Sequence, residues 1–123
     1  MNPGFLFRAA LVSLVIALCG PAMAASNLTF LKDSPLQQFT KQDMQIFKQT
    51  LGDMLDKAAV GDSKKWSNPA TEATGEIKVV KSFDRKGTPC RTMWISNSAN
   101  GLQAAGQYNF CKPASTGKWG LAN

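Results

Sequence analysis

The sequence predicts an α+β domain, with one N-terminal helix packed on a four-stranded antiparallel meander sheet and one cross-strand disulfide. Three observations predict it. One stretch carries apolar residues at helical spacing, the chain beyond it alternates in short runs broken by turn signals, and an Asn100-Gly101 step lies midway between Cys90 and Cys111.

Residues 1–24 read as a secretory signal peptide that is cleaved. Arg8 supplies the positive charge, an apolar core runs from Ala9 to Cys19, and Ala22-Met23-Ala24 offers a small-residue cleavage site. The core falls short of the roughly 20 apolar residues that a transmembrane helix needs. Ile16-Ala17-Leu18-Cys19 approximates a lipidation site, but Leu18 stands where a small residue normally precedes the modified Cys, so cleavage after Ala24 is the preferred reading. Nothing after residue 25 is apolar enough to span a bilayer. Residues 25–39 show no sustained period and read as an extended lead-in. Within it, Leu28, Phe30 and Leu31 either dock on the domain or offer a partner a short contact.

The single domain is expected over residues 40–123. Thr40 stands as N-cap with Asp43 three positions on, a variant of the capping box. Met44, Phe47, Leu51, Met54, Leu55 and Ala58 then recur on one helical face, which predicts a helix over about 41–60, closed by Gly61-Asp62 and with Lys57 suiting its C-terminal dipole. Ser63 to Gly75 reads as a polar connection with a turn at Asn68-Pro69. Four strands follow: Glu76 to Asp84 with Ile77, Val79 and Phe83 on one face, then Cys90 to Ser98, Leu102 to Lys112, and Lys118 to Ala122.

Asn100-Gly101 between two strand-like runs signals a two-residue type I′ hairpin turn, which needs positive φ at both positions. That fixes a register. With Ala99 facing Leu102, counting back along both strands sets Cys90 opposite Cys111, and alternation makes them a non-hydrogen-bonded pair, the pair type whose Cα separation of about 4.5 Å suits a disulfide. Such a closed loop contributes about 3 kcal/mol in the chain-entropy model, less where the hairpin already organises it. The register also sorts the faces. Met93, Ile95, Tyr108 and Phe110 join Ile77 to Phe83 against the helix, whereas Cys90, Thr92, Trp94, Gln107 and Asn109 lie on the other face. Arg91 falls on the apolar side near its edge, where it is expected to stack on Phe110 or pair with a helix Asp.

Cysteine usage agrees with an oxidising compartment, because Cys19 leaves with the signal peptide and the remaining two pair. The chain carries a formal net charge of +6 with 14 Lys and Arg, of which only Arg8 falls in the signal peptide. Such a balance attracts anionic partners through long-range fields. The candidate contact surface is Trp94, Thr92, Gln107 and Asn109 with the cations Lys64, Lys65 and Lys78. No catalytic site is expected. The chain has no His, its cysteines are spoken for, and no base stands ready to activate a nucleophile. Asp53 and Asp56, three apart on the helix, read as a solvated flank. No metal ligand set, phosphate-cradling loop or cofactor motif is present in the sequence.

Trp66-x-Asn68-Pro69, then Gly75-Glu76-Ile77, Cys90-Arg91, the Gly-centred hairpin, Cys111-Lys112 and Gly117-Lys118-Trp119 resemble, in that order, the C-terminal domain of the rickettsial seventeen-kilodalton surface-antigen family. The resemblance covers roughly residues 53–121. It implies an outer-membrane-associated or surface-exposed protein without known enzymatic activity. The chain departs from that family in its poor lipobox and in carrying a polar-faced helix where members have a Gly-rich membrane-associating segment, which favours a soluble periplasmic or secreted form. The expectation is therefore a non-enzymatic exported protein of the periplasm or cell surface, without a small-molecule cofactor. It would bind an anionic envelope component such as lipopolysaccharide or lipid headgroups, or an envelope protein, rather than nucleic acid. The alternative is a secreted or periplasmic inhibitor or effector-type binding module, although its positive charge disfavours a cationic lysozyme as target.

Overall fold

The computed structural model describes residues 34–122. The signal peptide and the apolar lead-in residues Leu28, Phe30 and Leu31 lie outside the described residues. The order is a 3-10 turn at Pro35–Gln38, helix α1 (Lys41–Lys57), and strands β1 (Ser63–Asn68), β2 (Ala73–Arg85), β3 (Thr88–Ala99), β4 (Leu102–Cys111) and β5 (Gly120–Ala122). The strands form one antiparallel sheet in sequential order. The α+β class and the meander are as expected, but the sheet has five strands rather than four.

The extra strand is β1, which falls in the stretch expected as a polar connection. Its Ser-Lys-Lys-Trp-Ser-Asn composition hides the alternation, because only Trp66 is apolar and the second inward residue is the polar Asn68. Part of the expected lead-in is also structured. Ser34 caps the 3-10 turn by accepting from Leu36 N–H at 3.2 Å, and Pro35 at its first position has no N–H to leave unsatisfied.

Helix α1 starts as expected. Thr40 Oγ1 accepts from Asp43 N–H at 3.1 Å and the Asp43 carboxylate accepts from Thr40 N–H at 2.9 Å, so the capping box is reciprocal. The helix stops at Lys57, three residues early, because Ala58 turns extended and the following link pairs with β2 instead: Gly61 N–H donates to Val79 O at 2.8 Å and Val79 N–H to Asp62 O at 3.0 Å. Phe47, Met54 and Leu55 are buried with Trp66, Ile77, Val79, Met93 and Ile95, while Met44, Leu51 and Ala58 pack at the margin. Phe39, Phe47 and Trp66 meet with ring centroids 5.3–6.1 Å apart, the edge-on and tilted arrangements that aromatic quadrupoles favour.

The hairpin register is as derived. Ala99 faces Leu102, Cys90 faces Cys111, and the two cysteines are bonded with Cα atoms 4.1 Å apart, the short separation of a non-hydrogen-bonded pair. Asn100 and Gly101 both adopt positive φ. The β2 face assignment needs one correction. A bulge between Val79 and Lys81 leaves Val80 unpaired, so Lys81 faces Thr92 and Phe83 faces Cys90. One extra residue exchanges the faces of everything beyond it. Phe83 therefore leaves the side of Ile77 and Val79 and joins the side of the disulfide.

Candidate functional site

The sheet has two dissimilar faces. The inner face packs α1 over β1 and β2 and supplies the core. Register places the outer face in rows that cross the strands. Lys65 faces Glu76, which faces Ser96; Ser63, Lys78, Trp94 and Gln107 form the next row; Lys81, Thr92 and Asn109 the one after; and Phe83, Cys90 and Cys111 the last. The candidate residues Lys65, Lys78, Trp94, Thr92, Gln107 and Asn109 thus share one surface. Lys64 does not. It alternates to the inner side of its edge strand and stands beside Asp53 and Lys57 near the end of α1.

Within that surface the side chains differ in availability. Thr92 is only 5 % exposed, and its hydroxyl donates to Asn109 Oδ1 at 2.7 Å, so the two satisfy each other. Trp94 is half-buried, with its strand neighbours Lys78 and Gln107 exposed. Lys81 Nζ lies 5.4 Å and the Arg85 guanidinium 5.8 Å from the Phe83 ring centroid, within cation–π reach. Sequence reasoning missed Lys81, Phe83 and Arg85, because nothing in the strand's composition announces the bulge that brings them to this side. Lys65, Lys78, Lys81 and Arg85 share these outward strand positions with a single carboxylate, Glu76, among the described residues. Beside Trp94, Ser67, Thr74, Ser96, Ser98 and Gln103 line part of a shallow groove of about 450 Å³ that Trp66 and Gly75 also border.

Several residues singled out by the sequence serve the fold. Asp43 is 1 % exposed, and besides closing the capping box its Oδ1 accepts from Asn68 Nδ2 at 2.7 Å and Thr71 Oγ1 at 2.6 Å. Burial pushes its pKa up, but the bonds from Thr71, Thr40 and Asn68 outweigh it and hold the carboxyl below its ordinary 3.8. Asn68 thus spends its amide on the helix start, while its Oδ1 accepts from Ala70 N–H at 3.1 Å to shape the turn at Pro69. Trp66 lies over Gly75, where an added Cβ would overlap the indole nitrogen and come within 2.5 Å of Asn97 Oδ1. Trp66 Nε1 and Asn97 Oδ1 are also the two buried side-chain polar atoms without a hydrogen-bond partner among the described residues.

Arg91 does not pair with a helix Asp. Its Nη1 donates to Ala58 O at 2.7 Å, just past the end of α1, and to Met54 O at 3.0 Å, which also accepts from Ala58 N–H. Asp56 is more than a solvated flank. It accepts from Trp119 Nε1 at 2.8 Å and has Lys112 Nζ 3.9 Å away, which pins the segment between β4 and β5 to the helix.

Among the described residues no group of three or more His, Cys, Asp or Glu is placed to hold a metal, and no helix is long and apolar enough to cross a membrane. No protein-family model, curated protein or solved structure matches this chain.

Proposed function

We propose that this is an exported, non-enzymatic protein of the bacterial cell envelope that works by binding an anionic envelope component, such as lipopolysaccharide or phospholipid headgroups, on the outer face of its sheet. The observation that carries the reading is the row Lys78–Trp94–Gln107 with Lys81 and Lys65 beside it, on the face opposite α1. A half-buried indole is a rigid amphipathic platform, and the surrounding ammonium groups concentrate anions at it. The leader-like N-terminus, the disulfide and the resemblance of the ordered motifs to the rickettsial surface antigens support the envelope location.

The test is binding of the purified protein to lipopolysaccharide and to vesicles with and without anionic lipid, across a salt series. Binding should weaken with salt, and the pair Lys78→Glu and Lys81→Glu should lower affinity at least about tenfold, with Trp94→Ala lowering it further. Binding that the charge reversals leave unchanged, or none to any of these surfaces, would overturn the proposal.

A further inference from the structure

The outer face of the sheet changes character along its strands. Beyond the row of Lys78, Trp94 and Gln107, register sets Lys65, Glu76 and Ser96 side by side, and then Ser67, Thr74, Ser98 and Gln103. On the central strands β2 and β3, three of the four positions in these two rows carry the short side chains of Thr74, Ser96 and Ser98, whereas the row before them carries the indole of Trp94. That step from small to large on one face leaves the shallow groove of about 450 Å³. Its volume falls within the roughly 300–1,000 Å³ of small-ligand sites. Four strands at roughly 4.8 Å spacing make it about 14 Å long, and two rows at roughly 3.3 Å per residue make it about 7 Å wide, the outline of a short chain of rings.

The chemistry of the lining selects among ligands. Serine and threonine hydroxyls and the Gln103 amide each donate and accept, and the Glu76 carboxylate only accepts. Thr92 and Asn109 satisfy each other, but the side chains of Ser67, Thr74, Ser96, Ser98 and Gln103 make no hydrogen bond among the described residues. An acyl chain laid here would strip these groups of water and return no bonds. A phosphate would bring acceptors and negative charge against Glu76. A polyol supplies donors as well as acceptors, and the apolar C–H face of a sugar ring suits the flat indole of Trp94. Charge is divided in the same way. Lys65 stands opposite Glu76, which balances the groove, whereas Lys78 and Lys81 lie on the far side of it in rows that hold no carboxylate among the described residues.

We propose that the groove takes the sugar rings of an anionic glycan, one ring resting on Trp94 and the acidic groups lying over Lys78 and Lys81. The inference rests on the outer face being an anion-binding surface, and it narrows the ligand to the carbohydrate of lipopolysaccharide rather than the phospholipid headgroup.

Titration calorimetry of the purified protein with lipid-free polysaccharide released from lipopolysaccharide, beside flotation with phosphatidylglycerol vesicles, tests it. The polysaccharide should bind. The double variant Ser96→Val, Ser98→Val keeps strand-forming residues while removing two hydroxyls and filling the groove, and should weaken polysaccharide binding at least about tenfold. Gln103→Ala, at an exposed position, should weaken it about threefold or more with an unchanged melting temperature. Vesicle binding without polysaccharide binding would overturn the inference and leave the anion-binding reading standing. Polysaccharide binding that both groove variants leave unchanged would also overturn the inference. Binding that the groove variants weaken but Lys78→Glu with Lys81→Glu does not would instead overturn the anion-binding reading, and no binding to either probe would overturn both.

Discussion

Replacing Asp43 by Asn probes the polar junction between the helix start and the β1–β2 turn. The carboxylate accepts three bonds: Asn68 Nδ2 at 2.7 Å and Thr71 Oγ1 at 2.6 Å on one oxygen, and Thr40 N–H at 2.9 Å on the other. An amide has one acceptor. With that oxygen kept toward Asn68 and Thr71, the amide nitrogen meets the Thr40 N–H, donor against donor. One charge-assisted bond worth about 1.5–3 kcal/mol is lost and the other two fall to neutral strength, so the cost is about 2–4 kcal/mol. For a domain of this size, at roughly 4–8 °C per kcal/mol, the melting temperature should drop by about 8–32 °C. The pH dependence follows from the lowered folded-state pKa. A carboxyl held below its ordinary 3.8 contributes stability that is present above that value and lost as pH falls through the folded pKa. Thermal unfolding followed by circular dichroism from pH 7 to pH 2 should therefore show a gap between wild type and Asp43→Asn that is widest near neutrality and narrows below about pH 4. A variant within about 0.5 kcal/mol of wild type at pH 7, or a gap that widens toward acid, would refute the reasoning.

Gly75→Ala should cost at least about 2 kcal/mol, read as a lower denaturation midpoint with unchanged slope, because the new methyl overlaps the Trp66 indole and is flanked by Asn97 Oδ1. Arg91→Ala should lose about 1.5–3 kcal/mol by removing the charge-assisted bonds to the Ala58 and Met54 carbonyls, and Arg91→Lys should recover only part of it in the same denaturant titration. Replacing Cys90 and Cys111 together by Ser should cost about 2–3 kcal/mol, for a bond that spans 21 residues, while circular dichroism retains the sheet signal.

The hairpin was the most legible part of the chain, because Asn100-Gly101 specifies a turn, the turn specifies a register, and the register brings the cysteines together with no tertiary information. The helix was nearly as legible through its cap and its apolar stripe, and only its end moved, where the link to β1 found partners on Val79. β1 was hidden for a physical reason. Its buried Asn68 is acceptable only because Asp43, 25 residues earlier, takes its amide, and no local pattern reports that bond. The bulge at Val80 was equally silent, since Glu76 to Asp84 alternates as plausibly without it. That error spread into the candidate surface, where Phe83 changed sides and brought Lys81 and Arg85 with it. Trp66, Asn68 and Gly75 enter the sequence reading through a resemblance, and their partners explain them as parts of the fold.

Both ends of α1 are fastened to distant segments. Asp43 holds the β1–β2 turn, Arg91 reaches from β3 to the last carbonyls, and Asp56 takes the Trp119 indole from beyond β4. These ties span between 25 and 63 residues of chain. Helix and sheet are therefore not separable stages of assembly. The helix ends are satisfied only once β1 to β3 are in place, which demands loop closures of the kind that make folding slow relative to a helical bundle. The same dependence runs in reverse: a protease cannot release α1 by a local opening, because freeing either end exposes unpaired groups on the sheet as well. Cleavage within the helix should then report unfolding of the whole domain.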